Sequence, residues 1–147
     1  MTAGGWSLAL VAPPADEGDR VGGLQTSALM YESAMRYVVD VFGVASNDEL
    51  AALPIRPVLR GMSSQFESEL LPETAIVVSC RARSRSSRSF VLEHVLSTRP
   101  DDRVVATGTV SLVVVDVAAG AAVAIPDEVL ARMQEADGRP VPTESRS

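Results

Sequence analysis

The chain has 147 residues, a formal net charge of -6 and 46% hydrophobic residues, which suits one domain with its own core. All thirteen basic residues are arginine, so Schiff-base enzymes and the usual phosphate-loop NTPases are excluded for want of a lysine. One histidine (His94) and one cysteine (Cys80) rule out a zinc cage and an internal disulfide, leaving carboxylates, hydroxyls and backbone amides to carry any catalysis.

In chain order, Trp6 to Ala12 reads as a short strand. From Leu24 to Phe42 apolar residues recur at helical spacing (Leu24, Ala28, Tyr31, Met35, Val38, Phe42), with Ala34 and Val41 widening the stripe. Gly22 and Gly23 precede this helix and Gly43 ends it, giving a rod about 28 Å long. A second helix is expected at Asn47 to Leu53, stopped by Pro54. Four strands follow at Val58–Leu70, Thr74–Arg83, Ser89–Thr98 and Arg103–Val117. The turn residues Pro100, Asp101 and Asp102 join the last two into an antiparallel hairpin. Pro126 opens a final short helix. The order is thus strand, long helix, then four meandering strands; such an antiparallel sheet needs one face covered, and the long helix is the element able to cover it. The expected class is therefore α+β: a five-stranded antiparallel sheet curved around one long central helix. It forms a single domain over 6–134, followed by a poorly ordered tail at 135–147 that is rich in Pro, Ser and charge.

The acidic balance argues against nucleic acid as a partner. The most apolar stretch, Leu112 to Ile125, is broken by Asp116 and Gly120, so no membrane span is expected. With one Cys nothing points to secretion, and a cytoplasmic protein without metal or cofactor is expected.

The stretch VVATGTVSLVVVDVAAGAAVAIPDEV (104–129) resembles the final strand and exit of the hotdog-fold acyl-CoA thioesterases, the family that includes 4-hydroxybenzoyl-CoA thioesterase. LPETAIVVSCRARSRSSRSFVLEHVL (71–96) resembles that family's central strands and hairpin, and the likeness runs from Asp19 to Met133. One branch of the family carries an Asp before a Gly-His-Val-Asn-Asn turn and a helix with Glu-x-Ala-Arg. Here DRVGGLQTSALMYESAMRYVV (19–39) lacks the His and Asn residues, and Met35 stands where the Arg would be. A second branch has Gly-Gly and then a helix with Asp-Ser-Ala-Met, which Gly22-Gly23 and Glu32-Ser33-Ala34-Met35 resemble with a longer spacing. Both comparisons bring a family carboxylate onto Glu32. The resemblance implies an acyl-CoA or acyl-carrier thioesterase that works as a homodimer or homotetramer.

Glu32 falls on the expected apolar stripe, where a carboxylate held against apolar neighbours suits a general base; the alternative is an edge position paired with Arg36. The unpaired first amides of the helix, around Gly22, Gly23 and Leu24, lie at the positive end of its dipole and can receive a thioester oxygen as it becomes negative. Gly23 and Glu32 are nine residues apart, about 13 Å along one helix, so one carbonyl can use both only across two antiparallel helices of a dimer. Asp19 is the second candidate carboxylate. It fits the first branch's Asp only with two residues deleted, whereas Glu17 fits without a gap, and a solvated loop is the other reading of Asp16, Glu17 and Asp19. Ser27 and Ser64 are candidates to position a water. Arg81, Arg83, Arg85 and Arg88 offer forked donors for the phosphates of coenzyme A, the first three on one strand face if the strand is regular. His94, in register with Phe90, Leu92 and Leu96, reads as a core or interface residue, and Cys80 as a buried, inert thiol.

Overall fold

The computed structural model describes residues 5–144 and places in order β1 (Trp6–Val11), α1 (Gly23–Phe42), α2 (Asn47–Ala51), β2 (Ile55–Phe66), β3 (Ala75–Arg85), β4 (Ser89–Thr98), β5 (Val104–Asp116), β6 (Ala121–Ala122) and α3 (Asp127–Asp137). The strands form one antiparallel sheet in the order β1-β3-β4-β5-β2, with β6 added to the end of β5. Residues on one face of β4 (Phe90, Leu92, His94, Leu96, Thr98) are buried while the alternate ones are partly exposed, as expected of a sheet covered on one side. The cover is α1, which packs across β3, β4 and β5. The expected α+β hotdog architecture is thus the one observed, with a two-residue sixth strand beyond the expected five.

Three expectations need correction. The four later strands do not form a meander: β2 leaves β3 and pairs with β5 at the far edge of the sheet. Its sequence suits an edge, because Pro57 lacks an N–H and the register slips between Leu59 and Gly61, leaving Arg60 in a bulge. β2 also begins earlier and ends earlier than expected, since after Phe66 the chain turns inward to bury Leu70, whose carbonyl accepts from Val21 N–H at 2.9 Å.

The second correction concerns α1. Its buried face is Thr26, Met30, Ser33, Ala34, Tyr37, Val38 and Val41, which recur at spacings of four and three. The expected row Leu24, Ala28, Tyr31 and Met35 lies beside it and is exposed or half-exposed, Leu24 by 86%. Of this row Tyr31 and Met35 pack half-buried against the edge of the core, while Leu24 and Ala28 are left exposed.

The third is the domain end. The boundary at 134 falls inside α3, which continues to Asp137 and stops at Gly138 in the left-handed conformation (φ 70°). Beyond it Arg85 N–H donates to Pro142 O at 2.9 Å and Glu144 N–H donates to Arg85 O at 2.8 Å, so residues to 144 dock beside β3. The remainder of the expected tail, 145–147, lies outside the described residues. Among the described residues β1 ends its pairing at Trp6 opposite Cys80, and beyond that point it is the C-terminal residues that lie beside β3. The Asp137 carboxylate and the Arg139 guanidinium take the N–H and C=O of Ala82 there, at 3.0 and 2.9 Å.

The core divides into two clusters. One gathers Tyr37, Val38, Val41, Cys80, Leu92, Val110 and Met133; the other gathers Val21, Met30, Leu70, Val78, Leu96 and Ala106.

Candidate active site

The helix α1 begins without a side-chain cap of its own. Gly22 N–H donates to Asp16 Oδ1 at 2.7 Å, and Thr26 Oγ1 donates to Gly22 O at 2.8 Å. Gly23 and Leu24 follow with neither a capping hydroxyl nor an acidic residue in the first turn, so among the described residues their amides at the positive end of the helix have no side-chain acceptor. The carboxylate of Glu17 lies against Gly22: a Cβ there would meet it unless the exposed Glu17 side chain swung away. The ring of Phe66, from the end of β2, lies 3.4 Å from where a Cβ on Gly23 would stand, while Gly23 stays exposed and Phe66 is itself 52% exposed.

The loop before the helix sets its carboxylates in different places. Glu17 and Arg20 pair as an isolated bridge, with Gly18 in the left-handed conformation (φ 66°) at the tip beside Asp19. The turn sends Asp19 outward, where it meets only Arg20 Nε at 3.7 Å, and sends Glu17 back over Gly22. Arg20 is held in turn by Glu69 at 2.7 Å. Of the expected residues, Gly22, Gly23 and Leu24 therefore gather at the helix start, joined by Glu17 rather than Asp19. Glu32 stands apart from them on the exposed side of α1, so the burial expected for it is absent within this chain.

Ser27 and Ser64 do meet: Ser27 Oγ donates to Ser64 Oγ at 3.1 Å, tying α1 to β2 one turn above Gly23. Ser64 faces Gly108 on β5, and Gly108 faces His94 on β4. His94 is buried as expected, and burial lowers its pKa to about 4. Because the unfolded imidazole binds a proton below about 6.5 and the folded one does not until about 4, stability should rise with pH through that window. Acidifying from pH 7 to 4 should cost about 3 kcal/mol through this group alone. Denaturant titrations of the wild type and His94→Gln at both pH values would measure it: the variant should lose that part of the slope, and parallel slopes would refute it. Cys80, opposite His94 in register, is also buried, and burial pushes its thiol far above the range where a thiolate forms at neutral pH.

The arginines do not form one patch. The register of β3 slips between Ala82 and Ser84, so Arg83 occupies a bulge and Arg85 falls opposite the inward-facing Phe90 while Arg81 falls opposite Glu93 on the outer face. Arg81 Nε is bonded to Glu93 Oε1 at 3.1 Å. Arg88 lies in the turn that Ser86 Oγ organises by accepting Arg88 and Ser89 N–H. This hairpin is at the Phe90 end of the sheet, about 20 Å from the Leu96 and Ala106 end where α1 begins.

Sequence reasoning missed Phe66 beside Gly23 and Asp16 as the acceptor for Gly22; nothing in the sequence marks either. It also missed the buried pair on the other side of the helix, where Tyr37 O–H donates to Asp137 Oδ1 at 2.8 Å. Burial raises the pKa of Asp137 and of Tyr37 alike. Among the described residues, no three His, Cys, Asp or Glu side chains gather to hold a metal, and no helix is long and apolar enough to cross a membrane.

Residues 14–133 match the family model of the thioesterase-like superfamily. No curated protein matches the sequence. Among solved structures, a Staphylococcus aureus protein in complex with CoA is similar with TM-score 0.80 and 12% identity, over 97% of this chain and 89% of that one. A 1,4-dihydroxy-2-naphthoyl-CoA thioesterase from Synechocystis gives TM-score 0.75 at 11% identity, over 88% and 95%. A Thermus thermophilus thioesterase complexed with coenzyme A and zinc gives 0.71 at 19% identity, over 90% and 96%. At these identities the likeness is one of fold.

Proposed function

Since the chain belongs to the thioesterase-like superfamily, we propose that it hydrolyses acyl-CoA or acyl-carrier thioesters at the N-terminus of α1. The observation that carries this reading is the pairing of a carboxylate with helix amides that, among the described residues, no side chain caps: Glu17 rests on Gly22 beside Gly23 and Leu24. A thioester carbonyl oxygen directed at those amides would gain hydrogen bonds as it becomes an oxyanion. A carboxylate then either removes a proton from the attacking water or attacks the carbonyl to give a mixed anhydride that water opens. In both routes the C–S bond breaks, the thiolate leaves and is protonated, and the products are a carboxylic acid and a thiol. Related folds solved with CoA support that carrier, with acyl-carrier protein as the other source of the same thioester.

Glu32 enters this picture from a second subunit. On its own chain it stands about 13 Å along α1 from Gly23. On its side of α1 Leu24 and Ala28 are exposed while Tyr31 and Met35 are half-buried against the core, and the edge strand β2 exposes Ile55, Val58, Leu59, Met62 and Phe66. These exposed apolar side chains on a sheet edge favour a homodimer in which the glycines of one subunit meet Glu32 of the other.

The test is thiol release from short, long and aromatic acyl-CoA substrates by the wild-type chain. Turnover of at least one class at about 1 s⁻¹ or faster is expected. Tight binding of a CoA thioester with no thiol released would assign the chain to a non-catalytic binding module instead.

A further inference from the structure

The glycine that opens α1 is held from both sides. Gly22 N–H donates to Asp16 Oδ1 at 2.7 Å, while Gly22 O accepts twice from one residue, from Thr26 N–H at 2.9 Å and from Thr26 Oγ1 at 2.8 Å. A regular helix makes the first of those two bonds; the second comes from a hydroxyl on a residue that is 2% exposed. Asp16 is fixed in its turn, because its own N–H donates to Arg20 O at 3.1 Å, and Arg20 is tied to Glu69 at 2.7 Å.

Planarity carries this hold to the next amide. In a trans peptide the C=O and the N–H point in opposite directions, so drawing Gly22 O toward Thr26, up the helix, turns Gly23 N–H the other way, out of the helix start. Two donors on one carbonyl also polarise the peptide, which strengthens its N–H as a donor. Asp16 does the reverse for the amide before it: a carboxylate already accepts from Gly22 N–H, so that amide is not offered to a ligand. Exposure follows the same division, since Gly22 is buried while Gly23 and Leu24 are exposed.

We propose that Asp16 and Thr26 are the positioning residues of the oxyanion site, restricting it to the amides of Gly23 and Leu24 and aiming the first of these at the thioester carbonyl. The proposal rests on the thioester reading above. Neither residue touches the reacting atoms; both act through Gly22. Stabilising an oxyanion demands closer alignment than binding the substrate does, so a small rotation of this peptide should cost rate rather than affinity.

Thr26→Val keeps the side chain's shape without the hydroxyl, and Asp16→Ala removes the acceptor. Each should lower kcat for acyl-CoA hydrolysis by about 10- to 100-fold with KM within about twofold, measured where circular dichroism shows the variant folded. Thr26→Ser and Asp16→Asn, which keep the donor and an acceptor oxygen, should retain most of kcat. Independently of turnover, the ¹⁵N-labelled wild type is titrated with ketone analogues of acetyl-, octanoyl- and benzoyl-CoA, in which CH₂ replaces the sulfur and the carbonyl remains. At least one should move the amide signals of Gly23 and Leu24 and leave that of Gly22, and the Gly23 response should shrink in Thr26→Val. Unchanged kcat in either Thr26→Val or Asp16→Ala, equal loss in the conservative variants, or a Gly22 signal that moves as far as that of Gly23 would overturn the proposal, as would no response at Gly23 and Leu24. A protein that releases no thiol yet shows the selective shift keeps this assignment and loses the hydrolytic one.

Discussion

Glu17→Gln and Glu32→Gln are each expected to lower kcat for acyl-CoA hydrolysis by about 10²–10⁴ with KM nearly unchanged, because in the proposed mechanism each removes a group that acts on the reacting carbonyl or water rather than on the bound substrate. Co-refolding the two inactive variants in equal amounts should then restore about a quarter of the wild-type rate, as symmetry requires. Half of the dimers formed are mixed. In each mixed dimer one site receives Glu17 from one chain and Glu32 from the other, and its twin receives neither. If both carboxylates served a site within one chain, no mixed dimer would hold an intact site, and the mixture would stay as inactive as its parts. Asp19→Ala is the control. Its side chain points away from Gly22 and should leave the rate within a factor of about two, in line with its exposed ion pair.

The largest effect on stability is expected at Asp137. Its carboxylate accepts from Tyr37 O–H at 2.8 Å and from Ala82 N–H at 3.0 Å, both buried. Asp137→Ala removes two charge-assisted bonds and strands two donors, costing about 3 kcal/mol. For a chain of this size that lowers Tm by roughly 10 °C. Asp137→Asn keeps one acceptor oxygen and should cost about 1 kcal/mol, since the carboxylate it replaces is itself strained by burial. The same burial fixes a pH signature. With its folded pKa raised, Asp137 binds a proton more readily folded than unfolded, so its contribution falls as pH rises through that interval, opposite in sense to His94. Thermal unfolding of the three proteins decides the matter, and an Asp137→Ala loss under 1 kcal/mol would count against it.

Strands β4 and β5 were legible because one covered face imprints a period of two on the sequence, and α1 because glycines frame it at both ends. What failed to show was anything that depends on a partner distant in sequence. Both apolar rows of α1 satisfy helical periodicity, and only the sheet chooses Met30, Ala34 and Tyr37 over Ala28 and Met35. β2 carries an edge's residues, yet its place beside β5 is set by β1 and β4 having taken both sides of β3. The same holds at the site. The Gly-Gly helix start could be read directly, whereas the placing of Glu17 over Gly22 with Asp19 turned outward depends on the left-handed Gly18, and the face of Arg85 on a single bulged residue. Ser27 and Ser64 were both named as candidates, but their meeting 37 positions apart is a property of the fold.

The docking of residues 137–144 beside β3 bears on how the molecule behaves among its own copies. A chain shortened to the end expected from sequence would bare the N–H and C=O of both Ala82 and Arg85 along one open stretch of strand. Such a stretch is a template on which the next molecule can lay a strand of its own, and the one after that in turn. The C-terminal residues thereby occupy backbone groups that would otherwise be free for such pairing.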